Sequence, residues 1–196
     1  MKKLATLFAM VVVNLGTALA QGTIDFHNPN TFPLRVADAG GTVTTVGAAG
    51  SPLGPASVRV GLFIGTGSTL NSLTMVGMTT NSSSTLPLFV GTFNGGNPYA
   101  IAGHPQNEVV NFAFAAWSIS SGALTYADAI ASGIGYAGNS TIGVGYTLAG
   151  GATTPALTFG NGAAQVQGFQ LNPVPEPSTI ALGLLGAAAL FLRRRK

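Results

Sequence analysis

Val58-Arg59-Val60-Gly61-Leu62-Phe63-Ile64 decides the fold class, because Val58, Val60, Leu62 and Ile64 fall at period two on one face of an extended chain. That face is expected to be buried. The same alternation recurs in Ile142-Gly143-Val144-Gly145-Tyr146-Thr147-Leu148, where Ile142, Val144, Tyr146 and Leu148 align on one face and leave the other nearly bare. Asn107 to Ser120 carries Val110, Phe112 and Phe114 on one face and Asn111, Ala113, Ala115 and Trp117 on the other, which predicts a central strand. Further candidate strands are Thr23 to Asn28, Phe32 to Ala37, Thr42 to Val46, Leu73 to Met78, Leu86 to Phe93, Ala156 to Phe159 and Gln165 to Leu171.

Strands this numerous, separated by Gly, Ser, Thr, Asn and Pro, predict an all-β domain, a single β-sandwich or jelly roll. An α/β layout would need crossover helices, and the sequence offers none. One short connecting helix is expected. Thr125-Tyr126-Ala127-Asp128 has the form of a capping box, Ala127 to Ser132 can follow, and Gly133 stops it.

The chain of 196 residues has a formal charge of +3, but six of its eight basic residues lie in two terminal segments. Between Gln21 and Asn172, Arg35 and Arg59 face Asp25, Asp38, Glu108 and Asp128, a net charge of −2. No Lys or Arg cluster remains there to contact phosphates, so a nucleic-acid partner is excluded. There is no cysteine, which excludes disulfides, thiolate metal sites and Cys nucleophiles. About 150 residues can bury a sufficient core as one domain.

The two ends carry the addresses. Lys2 and Lys3 precede an apolar stretch, Leu4 to Leu15, that runs into Ala18-Leu19-Ala20, the pattern of a secretory signal peptide over 1–20. Ala18 and Ala20 supply the small residues that signal peptidase requires, which makes Gln21 the expected mature N-terminus. At the other end stand Val174-Pro175-Glu176-Pro177-Ser178, an apolar run from Thr179 to Leu192, and Arg193-Arg194-Arg195-Lys196. The run partitions into hydrocarbon, and the four cations hold the extreme C-terminus on the cytoplasmic side as a stop signal. As a helix it is about 21 Å long, short of the ~30 Å hydrocarbon core, which suits a segment held temporarily and then cut away. In order and spacing, this tail resembles the PEP-CTERM sorting signal of Gram-negative bacteria. The resemblance implies export, insertion in the inner membrane in transit, and processing by an exosortase that reads Pro175, Glu176 and Pro177. The expected organisation is a signal peptide over 1–20, an exported domain over 21–172 and a sorting segment with a short transmembrane helix over 173–196.

Three local features carry chemistry of their own. Gly133-Ile134-Gly135-Tyr136-Ala137-Gly138 matches the G-x-G-x-x-G string, but a short helix precedes it and a strand follows it, the reverse of a dinucleotide-binding context. A glycine-rich helix-to-strand loop is expected, and no cofactor. Asp25 and His27 would share the outward face of the first strand while Ile24 and Phe26 face in, a pair able to orient an imidazole or explained as surface residues. Trp117, Tyr99, Tyr126 and Tyr136, among many Asn, Thr, Ser and Gln, could stack on sugar rings, with Trp117 the candidate glycan contact. Trp117 beside Ala113 and Ala115 is favoured as core. His104 lies in a loop with only Glu108 near it in sequence, and the domain holds too few carboxylates and histidines for a triad, a glycosidase pair or a closed metal site. Asn81-Ser82-Ser83 and Asn139-Ser140-Thr141 fit the N-glycosylation string.

The sequence therefore predicts a non-enzymatic exported protein of the cell surface or extracellular matrix, structural or associated with exopolysaccharide, the setting that the PEP-CTERM resemblance also implies. A carbohydrate-binding module is the alternative. A secreted hydrolase acting through His27 or His104 is the remoter one.

Overall fold

Ten strands, one short α-helix and two single-turn 3-10 helices, Leu70–Ser72 and Ile119–Ser121, make up the regular structure of the computed structural model, which describes residues 21–150 and 153–176. The strands are β1 (Gln21–Asn28), β2 (Arg35–Ala37), β3 (Val43–Thr45), β4 (Val58–Gly65), β5 (Thr74–Thr80), β6 (Phe93–Pro105), β7 (Val109–Ser118), β8 (Tyr136–Asn139), β9 (Gly143–Thr147) and β10 (Gln170–Pro173). The expected signal peptide with Ala18 and Ala20, the sorting residue Pro177, the apolar run and the expected stop signal Arg193, Arg194, Arg195 and Lys196 lie outside the described residues. Among those described, no helix is long and apolar enough to cross a membrane.

The described residues are mostly β-strand with one short α-helix, in keeping with the all-β reading. β4 buries Val58, Val60, Leu62 and Ile64 against the interior and pairs antiparallel with β5 and β7. The larger sheet runs β3-β2-β10-β8-β7-β4-β5, with β9 also on β7, so β7 is central. Across one face lies a ribbon of β1 and β6. The two layers share one core, where Phe26 of the ribbon stacks on Phe114 of β7 with centroids 5.9 Å apart. Phe114 also meets Phe93, Phe112 and Phe159. Burying such rings is the main favourable term in a fold without disulfides.

The other face of β7 is covered as well. Trp117 packs with Ala123, Ala129, Ala137 and Val174 under the helix Tyr126–Ser132. Thr125 caps that helix, its hydroxyl oxygen accepting from the Asp128 N–H at 3.1 Å, and Gly133 ends it in the left-handed region. The Asp128 carboxylate accepts from the Thr125 hydroxyl at 2.7 Å.

Three expectations are corrected. Leu86 to Phe93 is no strand: residues 86–91 turn over the surface, and β6 begins only at Phe93. Leu86-Pro87-Leu88 looks apolar enough for a strand, but Pro87 has no N–H to give a ladder. Ala156 to Phe159 contributes only an isolated bridge from Phe159 to Val166. In β9 the alignment of four apolar residues breaks, because Val144 is 57% exposed while Tyr146 and Leu148 are buried. Val110 pairs with Tyr146 and Phe112 with Gly143, so β9 carries one extra residue there, and Gly145 takes it up at φ 74. A bulge of one residue turns the side chain before it outward.

Candidate functional site

The two histidines each sit beside a carboxylate. His27 Nδ1 is hydrogen-bonded to Asp25 Oδ1 along β1, and His104 Nδ1 to Glu108 Oε2 at 3.0 Å across the β6–β7 turn. Asp25 departs from the expected surface position, being only 1% exposed. The Thr158 hydroxyl donates to the Asp25 carbonyl at 2.9 Å, and this segment, more than a hundred residues on, lies over the face that the strand period leaves open. Asp25 Oδ2 is buried without a protein partner, and burial raises the carboxyl above its ordinary value of 3.8, with the His27 contact offsetting part of the rise. Burial also pushes Tyr146 up to about 12, and its hydroxyl donates to the Ala156 carbonyl. Among the described residues no Ser or Thr hydroxyl is hydrogen-bonded to either imidazole, and no group of three or more His, Cys, Asp or Glu is placed to hold a metal. The two pairs can bind or relay a proton.

Trp117 has no exposed surface, and its Nε1 donates to the Ala123 carbonyl at 3.1 Å. No face of the ring is open to a sugar, so the sequence's candidate glycan contact is a core residue. The amide of Asn81 is buried too. It accepts from the Val58 N–H at 2.9 Å and donates to the Gly54 carbonyl, which leaves it no role as a glycan acceptor.

A different surface collects the chemistry that Trp117 lacks. Where β5 and β6 part, a groove of about 340 Å³ is lined by Thr79, Thr80, Ser82, Ser83, Thr92 and Asn94, with Phe89 on its wall. None of its lining residues is charged. Thr79 Oγ1 donates to the Asn94 carbonyl at 3.1 Å and Asn94 Oδ1 accepts from the Gly96 N–H at 3.0 Å, which fixes the rim. Phe89 is 48% exposed. Sequence reading missed it because it assigned Leu86 to Phe93 to a strand; the signal available was Pro87 beside a run of serines.

The three glycines of the G-x-G-x-x-G string all serve the fold. Gly133 closes the helix at φ 66 and Gly135 turns the chain at φ 83. A Cβ at Gly138 would stand 2.1 Å from the Gln170 carbonyl, so only glycine lets β10 lie against β8. β10 then pairs Asn172 with Ala137 and Pro173 with Tyr136, and the Val174 N–H donates to the Gly135 carbonyl at 2.9 Å. Pro175 and Glu176 follow, both exposed.

This places Pro175 and Glu176 of the sorting segment at the surface of the folded domain. Residues 173–196 match the PEP-CTERM protein-sorting motif. The chain carries a PEP-CTERM sorting signal. A PEP-CTERM signal implies a protein exported across the membrane and handled by an exosortase, in agreement with the tail's order of tripeptide, apolar run and basic end. No curated protein and no solved structure matches the chain.

Proposed function

We propose that the exported domain is a non-enzymatic β-sandwich of the cell surface or extracellular matrix that holds neutral polysaccharide in the groove between β5 and β6. On this reading signal peptidase and exosortase process the chain during export, and the tail crosses the inner membrane only in transit. The observation that carries it is the uncharged groove with an aromatic ring at its wall. Sugar rings offer apolar C–H faces to Phe89 and hydroxyls to the amides and hydroxyls of Asn94, Thr79 and Thr92. Few fixed charges are present to be screened, so binding is expected to vary little with salt.

Glycan-array binding of the purified protein tests this, with Phe89→Ala and Asn94→Ala beside the parent. The expected result is saturable binding to an uncharged glycan, weakened about tenfold or more by Phe89→Ala, the loss of a ~1.4 kcal/mol contact. Binding that both variants retain in full would overturn the site. Turnover of the glycan that disappears in His27→Ala or His104→Ala would replace it with a secreted hydrolase.

A further inference from the structure

The chain has four methionines, and only Met75 and Met78 lie outside its first ten residues. Both are on β5, an edge strand of the larger sheet, and both are exposed. Three positions apart on a regular strand, they would point to opposite faces. The register prevents that. Met78 stands opposite Gly61 and Met75 opposite Phe63, with one extra residue of β5 between those pairs, so both side chains leave the sheet on the face of Gly61 and Phe63. This is the face of Trp117, away from the β1–β6 ribbon.

Gly61 leaves the floor between the two methionines bare. A Cβ there would stand 3.2 Å from the Met75 sulfur, 2.9 Å from the Phe63 ring and 3.3 Å from the Trp117 ring, so a thioether and two aromatic rings border a position without a side chain. Met78 lies directly across the ladder from it. A glycine inside a strand marks a place that something else approaches closely. Gly61 and Phe63, two residues apart on one strand, set their partners about 7 Å apart. Two methionines, each with three rotatable side-chain bonds, can close that gap around one ion.

The chemistry of this face selects the ion. A groove of about 380 Å³ lined in part by Met75, Phe63, Leu73 and Tyr126 opens the Met75 thioether to solvent. Neither β4 nor β5 nor that groove carries an Asp, Glu, His or Cys. Thioether sulfur is a soft, polarisable, uncharged donor that favours Cu(I), whereas Zn(II) and Cu(II) take the nitrogen, oxygen or thiolate ligands that are missing here. Arg59, the one cation of β4 and β5, donates to the Ala123 carbonyl and repels a monovalent ion half as strongly as a divalent one.

We propose that Met75 and Met78 form a thioether site for Cu(I) over Gly61, separate from the groove between β5 and β6. The ion binds and leaves as Cu(I), so no electron is transferred.

The protein recovered from the producing cells tests this, with silver ion as a redox-inert probe of Cu(I) sites and Trp117, the chain's single tryptophan, as the reporter beside the gap. Titration with silver nitrate in chloride-free buffer is expected to quench the emission saturably, and anaerobic transfer of Cu(I) from a chromophoric chelator is expected to follow the same pattern across variants. Met75→Leu and Met78→Leu nearly conserve volume. Each is expected to weaken binding about tenfold or more and the double variant to abolish it, while the emission of the metal-free variants matches the parent. Zinc sulfate is expected to change nothing. A thioether has no proton to lose, so the silver affinity is expected to be level between about pH 5 and 8, where a histidine site would weaken in acid. No saturable response in the parent, a response that the double variant keeps, a loss confined to one single variant, an equal response to zinc, or an affinity that falls in acid would each overturn the site.

Discussion

The buried carboxyl of Asp25 is hydrogen-bonded to the imidazole of His27, two residues further along the same strand. Burial makes this carboxyl hold its proton more tightly in the folded protein than in the unfolded chain, whose value is near 3.8. The resulting stability is complete below that value and is lost as pH rises through the raised folded one. Asp25→Asn removes the titration. Urea midpoints measured across the acid range are therefore expected to fall with rising pH more steeply in the parent than in the variant, and parallel profiles would contradict this.

Two phenylalanines should separate core from surface. Phe114 lies 4.8 Å from Phe159 and 5.9 Å from Phe26 between ring centroids, whereas Phe89 projects into solvent. Phe114→Ala is expected to cost about 3–5 kcal/mol, a large part of the ~5–15 kcal/mol a domain has. Phe89→Ala is expected to stay within about 0.5 kcal/mol of the parent in the same denaturation measurement.

At the β9 bulge Gly145 sits at φ 74 with open space around it. Gly145→Ala is expected to destabilise by about 1 kcal/mol through backbone strain alone. A thermal melt checks this, and an unchanged midpoint would mean that the bulge can move elsewhere.

Thr125 caps the helix that covers Trp117. Thr125→Ala is expected to cost about 1 kcal/mol and to leave the tryptophan emission of the folded state unchanged, since the cap lies at the exposed end of the helix.

How much of this was legible before the fold was seen depended on whether local pattern or distant covering set each residue's place. β4 and β7 could be read because both of their faces obey the period of two, and the helix because Thr125, Asp128 and Gly133 act within one turn of it. β6 could not. Its thirteen residues hold three glycines and two prolines, and it is a strand because β1 pairs with it along most of its length. The burial of Asp25 needed Thr158 to arrive from far along the chain, and the bulge at Gly145 needed its partner β7 to reveal the extra residue. The groove was out of reach for the same reason: its walls come from β5, β6, the segment between them and Ala56 ahead of β4, and the pattern of none of these announces a concavity.

The position of β10 has a consequence for the order of events in export. The last strand among the described residues lies between β2, with which it is parallel, and β8, so without it the larger sheet falls into a β2–β3 hairpin and a separate remainder. A polypeptide exported from its N-terminus delivers that wedge after the nine other strands described. Until that strand arrives the two parts have no sheet ladder between them, so its arrival joins the two halves of the larger sheet.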